Sequence, residues 1–331
     1  MSGIKILGTG SYIPPMVVTN DDFAKIVETS DEWIKTRTGM SQRHLSQGEP
    51  TWYMGAYASK EAISAAGLDG ADIDLIIAAS VSPDYSFPSM ACMIQREIGA
   101  PNAMTIDVNC ACSGFVYGVD MARRYLATGD VRYALVVGCE NLTKLADYSD
   151  RSTCVLFGDG AAAAVIGLSE GTLYSSFLGA DGNGAKSMVC RNIPPHNAFM
   201  PEERIKIDDG LPSTNDPYMY MDGKEVYKFA IKALPDALSN AAAKINFDVN
   251  ALDLVIPHQA NIRIIETAAQ KIGLPMEKFY LNIHKYGNTS SASVPLALDE
   301  AIRTGTLKRG DKAALVGFGA GLTYGAVIFE Y

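Results

Sequence analysis

The sequence predicts an α/β fold assembled from two related halves, and three observations carry that prediction. Near-continuous apolar runs alternate with helix-like patterns along the chain, as expected for parallel-type strands buried on both faces and flanked by helices. The two halves echo one another in order. Three short polar strings, Asn109-Cys-Ala-Cys-Ser-Gly-Phe115, Pro257-His-Gln-Ala-Asn261 and Tyr286-Gly-Asn288, each stand where a strand-like run gives way to a helix-like one. Open α/β sheets collect ligands at such strand ends. A Cys, a His and an Asn delivered there point to one active site between two packed halves.

The elements follow in chain order. Ile4 to Tyr12 reads as the first strand, and Ala103 to Val108 as a strand leading to Cys112. Gly114 to Leu126 reads as the helix behind that cysteine. Leu252 to Ile256 leads to His258, with Asn261 as N-cap of an amphipathic helix carrying Ile262, Ile265, Ala268, Ala269 and Ile272. Phe279 to Ile283 is expected to be a further strand leading to Asn288. Ser290 or Ser291 is the expected cap of the helix that runs to Arg303.

The duplication is legible in paired strings. Ala71-Asp-Ile-Asp-Leu-Ile-Ile77 resembles Asn250-Ala-Leu-Asp-Leu-Val-Ile256, and Tyr133-Ala-Leu-Val-Val-Gly138 resembles Ala313-Ala-Leu-Val-Gly317. Leu126-Ala-Thr-Gly129 resembles Ile302-Arg-Thr-Gly305, and aligning these endings sets Asn288 opposite Cys112. The halves are expected to be 1–172, with the nucleophile, and 173–331, with the His and Asn. From Asp181 to Asp222 the pattern dissolves into Gly, Pro, Asn and charge, including Asn192-Ile-Pro-Pro-His196. A stretch that long is expected to act as a cover over the site.

Composition narrows the function. A chain of 331 residues with 48% hydrophobic and 20% charged residues suits a two-domain or large α/β protein. Its net charge of −9 argues against a general nucleic-acid binder, and no apolar run reaches membrane-spanning length. The six cysteines contain no C-x-x-C pair, and Cys110 and Cys112 are wrongly spaced for zinc, so no metal is expected. Buried thiols without a disulfide framework fit a reducing cytoplasm.

Cys112 at a helix N-terminus is placed for reactivity, because unpaired amide N–H groups and the helix dipole favour a thiolate and lower its pKa. The same N–H groups bind a developing oxyanion. A second glycine-rich turn, Gly317-Phe-Gly-Ala-Gly321, offers another donor at Ala320. Cys110 is assigned a structural role. Acyl transfer from a thioester to a thiol keeps the acyl group activated, which suits carbon–carbon bond formation as well as hydrolysis. A neutral His258 and an Asn288 amide, donating to one carbonyl oxygen, stabilise an enolate. His44, His196 and His284 carry no supporting context.

At this point the chain resembles the β-ketoacyl-acyl-carrier-protein synthase III family of the thiolase superfamily. The resemblance runs from Gly8-Thr-Gly-Ser-Tyr-Ile-Pro14 to Gly317-Phe-Gly-Ala-Gly321-Leu-Thr-Tyr-Gly325. Between them lie Ser30-Asp-Glu-Trp-Ile-Lys-Thr-Arg-Thr-Gly39, Phe87-Pro-Ser89, Ala111-Cys-Ser-Gly-Phe115 and Phe157-Gly-Asp-Gly160. It implies a thiolase-like five-layer αβαβα fold, a homodimer and a ping-pong condensation. An acyl-CoA primer would acylate Cys112, with the N–H groups of Cys112 and Ala320 as oxyanion hole. Malonyl-acyl carrier protein would then lose CO2 beside Phe318, its enolate held by His258 and Asn288. The resemblance also implies CoA contacts at Trp33, Arg37 and Arg151, and an acyl pocket at Phe87, Leu142 and Phe157. Carrier-protein docking would fall to Gln259, Arg263 and Lys228. No cofactor is implied, since the CoA thioester and the carrier phosphopantetheine are substrates. A thiolase is disfavoured because no cysteine follows Cys190 to act as its second, C-terminal thiol.

Overall fold

The computed structural model describes residues 2–194, 197–200, 209–214 and 218–331. His196 lies outside the described residues. The first half runs β1 (Ser2–Tyr12), β2 (Met16–Thr19), α1 (Asn20–Phe23), α2 (Asp31–Thr38), β3 (Gln42–Leu45) and α3 (Thr51–Ala65). It continues through β4 (Leu75–Ala79), α4 (Met90–Ile98), β5 (Met104–Val108), α5 (Gly114–Leu126), β6 (Ala134–Glu140) and β7 (Gly160–Glu170).

After β8 (Tyr174–Ala180) come the short strands β9 (Met188–Val189) and β10 (Tyr220–Met221). The remainder is α6 (Gly223–Ala243), β11 (Leu254–Pro257), α7 (Ile262–Ile272), α8 (Ile283–Tyr286), α9 (Ser293–Arg303), β12 (Lys312–Gly319) and β13 (Thr323–Glu330).

Two sheets organise these elements, in the orders β1-β7-β6-β4-β5 and β11-β12-β13-β8. Three apolar clusters stack them into five layers. Met54, Ala58, Ile63 and Ile94 of α3 and α4 cover one face of the first sheet. Phe115, Val119, Val294 and Leu298 of α5 and α9 fill the space between the sheets. Leu234, Leu238, Ile264 and Ile265 of α6 and α7 close the outer face of the second. The architecture is αβαβα.

Both sheets are mixed, where buried apolar runs alone predict parallel strands. β4 runs parallel to β5 and β6, but β7 returns antiparallel to β6 and β1. In the second sheet only the β11–β12 pair is parallel. Helices cover both faces regardless of strand direction, so burial on both sides leaves no alternation to betray it.

The segment from Phe279 to Ile283 departs from expectation. It makes one bridge to β11, between Phe279 and Val255, and then enters α8 rather than forming a strand. The reason is the Gln259 side chain, which occupies the backbone groups a strand partner would use. Its amide donates to the Tyr280 carbonyl, and its oxygen accepts from the N–H groups of Asn282 and Ile283.

The duplicated halves share a turn at the sheet ends. Ala111 has φ +46° and opens a 3-10 turn, Ala111–Ser113, that runs into α5. Ser290 has φ +47° and opens the turn Ser290–Ala292 that runs into α9. Both residues occupy the left-handed region that side chains disfavour. The shared geometry sets Ser291, not Asn288, opposite Cys112. Aligning from the helix ends slips the register by three residues: α9 has 11 residues to the 13 of α5, and Leu126 ends α5 whereas Ile302 lies one residue short of the end of α9.

Candidate active site

The Cys112 turn is held from the other half of the molecule. The Cys110 carbonyl accepts from the Ser113 hydroxyl at 2.7 Å and from Thr323 Oγ1, on β13, at 2.9 Å. Gly319, at the end of β12, faces the Cys112 amide so closely that a Cβ there would lie 2.5 Å from its nitrogen. Only glycine keeps that N–H open. Ala320 follows directly and borders the same cavities as Cys112.

Burial dominates the thiol. Cys112 is pushed up to about 12, chiefly by desolvation, with the Glu140 carboxylate adding to the rise and Ser290 opposing it. The expected lowering at a helix N-terminus is therefore overturned, because removing the sulfur from water penalises the thiolate more than the turn favours it. The resting thiol is protonated.

His258 leaves the end of β11, its N–H bonded to the Val316 carbonyl at 2.8 Å. Burial lowers it to about 3, so the ring is neutral. Its Nδ1 lies 3.0 Å from Ser293 Oγ, and that oxygen accepts from the Gln259 N–H at 2.7 Å. The Ser293 proton is best used toward Nδ1, because a buried hydroxyl without an acceptor is costly. That leaves the ring proton on Nε2. The Phe318 ring stands edge-on to His258, with centroids 5.2 Å apart.

Asn288 is pinned by its own oxygen. Oδ1 accepts from the Ser290 N–H at 2.9 Å, while the backbone pairs with Leu156 and Gly158. The amide Nδ2 has no partner among the described residues and is the end available to a ligand. Neither Ser290 nor Ser291 caps α9, contrary to expectation. The buried Ser290 hydroxyl faces the Cys112 thiol instead, and Ser291 Oγ turns to Ala79 and Glu140.

Two cavities meet at Cys112. The narrower, about 220 Å³, is bordered by Trp33, Cys112, Phe229, His258, Asn288 and Phe318. The wider, about 460 Å³, is bordered by Val81, Cys112, Leu142, Leu145, Phe157 and Met219. Met188 lines both. Met188, Val189, Cys190, Met219 and Met221 all belong to the stretch without sequence pattern, and the β9–β10 pair sets these residues against the cavities.

At the outer end, Arg37 and Arg151 stand over the Trp33 ring at 4.6 and 5.4 Å from its centroid. An inserted base needs about 7 Å, two stacking distances. Arg151 therefore occupies that place and must move for a base to enter. Lys228 and Arg263 are exposed on α6 and α7, Lys228 paired with Glu225 and Arg263 bonded to the Thr36 carbonyl. Gln259 departs from the docking role expected of it. It is 2% exposed with its amide spent inside the fold, so it presents nothing to a docking partner. Phe87 is 87% exposed and borders neither cavity in its own chain.

Ser293, Thr323 and Glu140 escape sequence reasoning, although they hold the functional groups in place from outside the reacting centre. Only tertiary contacts reveal them, since His258, Cys110 and Ser291, the groups they hold, lie 35, 213 and 151 residues away along the chain.

Comparison with known proteins places this geometry. Residues 106–182 match 3-oxoacyl-[acyl-carrier-protein] synthase III, and residues 242–331 match the C-terminal part of the same family. The chain is 45% identical to a β-ketoacyl-[acyl-carrier-protein] synthase III of Clostridium acetobutylicum, over 100% of this chain and 99% of the relative. Its structure superimposes on a 3-oxoacyl-[acyl-carrier-protein] synthase III from Aquifex aeolicus with TM-score 0.90 and 41% identity, covering 99% and 100% of the two chains. The enzyme of Thermus thermophilus gives TM-score 0.89 at 38% identity, covering 98% of each chain. With its thiolase-like layers and its Cys, His and Asn on two joined cavities, the chain belongs to the β-ketoacyl-acyl-carrier-protein synthase III family of acyl-transferring enzymes.

Proposed function

We propose that this protein initiates fatty-acid synthesis by condensing a short acyl-CoA primer with malonyl-acyl carrier protein through a Cys112 acyl-enzyme. The observation that carries the reading is the convergence of Cys112, His258 and Asn288 on one narrow cavity, beside a second cavity with an apolar wall. The CoA arm enters the narrow cavity past Trp33, with Arg37 and Arg151 at its mouth. The Cys112 sulfur attacks the thioester carbonyl, whose oxygen takes the N–H groups of Cys112 and Ala320. CoA leaves as the thiol with the proton that Cys112 gives up, and the acyl group lodges against Leu142 and Phe157.

Malonyl-acyl carrier protein follows through the same cavity, with Lys228 and Arg263 beside its mouth for an acidic carrier. His258 Nε2–H and Asn288 Nδ2 donate to the thioester oxygen as the carboxylate departs as CO2, and the apolar Phe318 wall disfavours that carboxylate's charge. The enolate carbon attacks the acyl carbon, and Cys112 leaves as the thiolate, carrying the charge the carboxylate brought, and takes one proton from water to regenerate the thiol. No cofactor takes part.

The two halves, 1–172 and 173–331, act as one catalytic unit. A homodimer is part of the reading. β5 is an edge strand, and Tyr85, Phe87 and Met104 stand exposed around it. An open apolar edge favours pairing with a second copy, which would bring Phe87 to the partner's acyl cavity. No helix among the described residues is long and apolar enough to cross a membrane.

Intact-mass spectrometry of the wild type and of Cys112→Ser, after brief exposure to a panel of acyl-CoAs, tests the reading. An acyl adduct on the wild type alone, lost as 3-ketoacyl-carrier forms, supports it and identifies the primer. An adduct that decays to free acid with malonyl-carrier untouched would instead make this a cysteine hydrolase.

A further inference from the structure

Glu140 is a buried carboxylate to which the reaction assigns no step. It ends β6, is fully buried, and gathers hydroxyl and amide donors from both halves of the chain. Ser82 Oγ donates at 2.5 Å, Ser80 Oγ at 3.0 Å and the Val81 N–H at 3.1 Å, all from the loop after β4. From the second half, Ser291 Oγ lies 2.7 Å away and is shared with the Ala79 carbonyl at 2.8 Å. Burial raises the Glu140 pKa, and the surrounding hydroxyls hold it down.

The neighbours of Ser291 reach the site. The preceding Ser290 N–H fixes Asn288 Oδ1 and so aims the Asn288 amide at the cavity. The following Ala292 leads into α9, where Ser293 sets the His258 tautomer. Gly138, two residues before Glu140, leaves room for the Ser291 carbonyl, which a Cβ would strike. The Cys112 turn is held by a different and opposite clamp, Thr323 of the second half on the Cys110 carbonyl.

We infer that Glu140 and Ser291 are positioning residues for the condensation half-reaction, and that each half of the molecule clamps the other half's reactive turn. This rests on the condensation reading above. Losing the Glu140–Ser291 clamp loosens the enolate donors while leaving the Cys112 turn, with its own clamp, in place.

The experiment compares Glu140→Gln, Ser291→Ala and Thr323→Val in both half-reactions. Cys112 acylation by acyl-CoA is followed by rapid-quench mass spectrometry, and malonyl-carrier decarboxylation by CO2 release. In Glu140→Gln and Ser291→Ala, decarboxylation falls about 10- to 100-fold in kcat with KM little changed, the scale of a displaced reacting group. Acylation holds in both variants. Thr323→Val shows the reverse bias. Ser291→Ala removes a single hydroxyl and keeps the test open if Glu140→Gln does not fold. Parallel losses in both half-reactions, or none, overturn the clamp while acylation of the wild type leaves the condensation reading intact. A wild type that no acyl-CoA acylates overturns both.

Discussion

The turn at Cys112 and the turn at Ser291 have nearly the same backbone and opposite fates. Each opens on a non-glycine residue in the left-handed region, makes one 3-10 turn and feeds a helix of the middle layer. In the first, the central residue offers its sulfur to both cavities. In the second, the central hydroxyl is turned inward to a carboxylate, and the group offered to the cavity is Asn288, three residues earlier. Duplication supplied two equivalent strained perches. The chemistry diverged by what each perch displays.

The comparison breaks most sharply at the displayed thiol. In the proposed reaction Cys112→Ala removes the acyl acceptor, and condensation falls by about 10⁶-fold, the scale of a lost nucleophile. Steady-state turnover checks this, and Ser291→Ala, at the matching perch, leaves acylation standing.

Next come the two glycines that face the perches. Gly319→Ala crowds the Cys112 amide, and acylation drops about 10²- to 10³-fold, as for loss of one oxyanion donor. Gly138→Ala drives into the Ser291 carbonyl instead and costs about 3 kcal/mol in stability, read by denaturant unfolding.

Protonation sharpens the contrast further. His258 sits at about 3 in the folded protein against its ordinary 6.5, so below pH 6.5 the unfolded chain binds the extra proton. Stability therefore falls as pH drops from 6.5 toward 3, by about 1.4 kcal/mol per unit from this residue. Urea titrations from pH 4 to 7 show a shallower slope in His258→Gln. A slope unchanged by that substitution contradicts a buried neutral ring.

The smallest effect is expected at Ser113, whose counterpart Ala292 has no hydroxyl. Ser113→Ala removes one donor to the Cys110 carbonyl and costs about 1 kcal/mol, read as a small fall in Tm. Thr323 still holds that carbonyl.

Much of the fold and site is legible in the sequence alone. Apolar spacing bounds the helix Gly114–Leu126 correctly, and Asn261 does cap its helix by accepting from the Arg263 N–H. Cys112 and His258 are each marked by a strand end meeting polar residues, a local signal, whereas the strand expected before Asn288 is instead the short helix α8. What stays hidden depends on distant partners. Gln259 reads as surface because nothing in Pro257-His-Gln shows that its amide staples the segment 280–283. Ser290 and Ser291 read as caps because cap preference is local, while Glu140 lies some 150 residues away. The thiol's pKa is hidden too, because burial is a property of the packed site, and there desolvation outweighs the helix terminus.

The two cavities share Cys112, but only the narrow one carries His258 and Asn288. In the proposed reaction both thioester carriers must therefore queue at a single doorway, and the acyl group waits in a side room while the first visitor backs out. Anything that lingers in that doorway, spent CoA included, blocks the second arrival as surely as the first. Turnover would then be throttled by its own departing product before the chemistry itself grows slow.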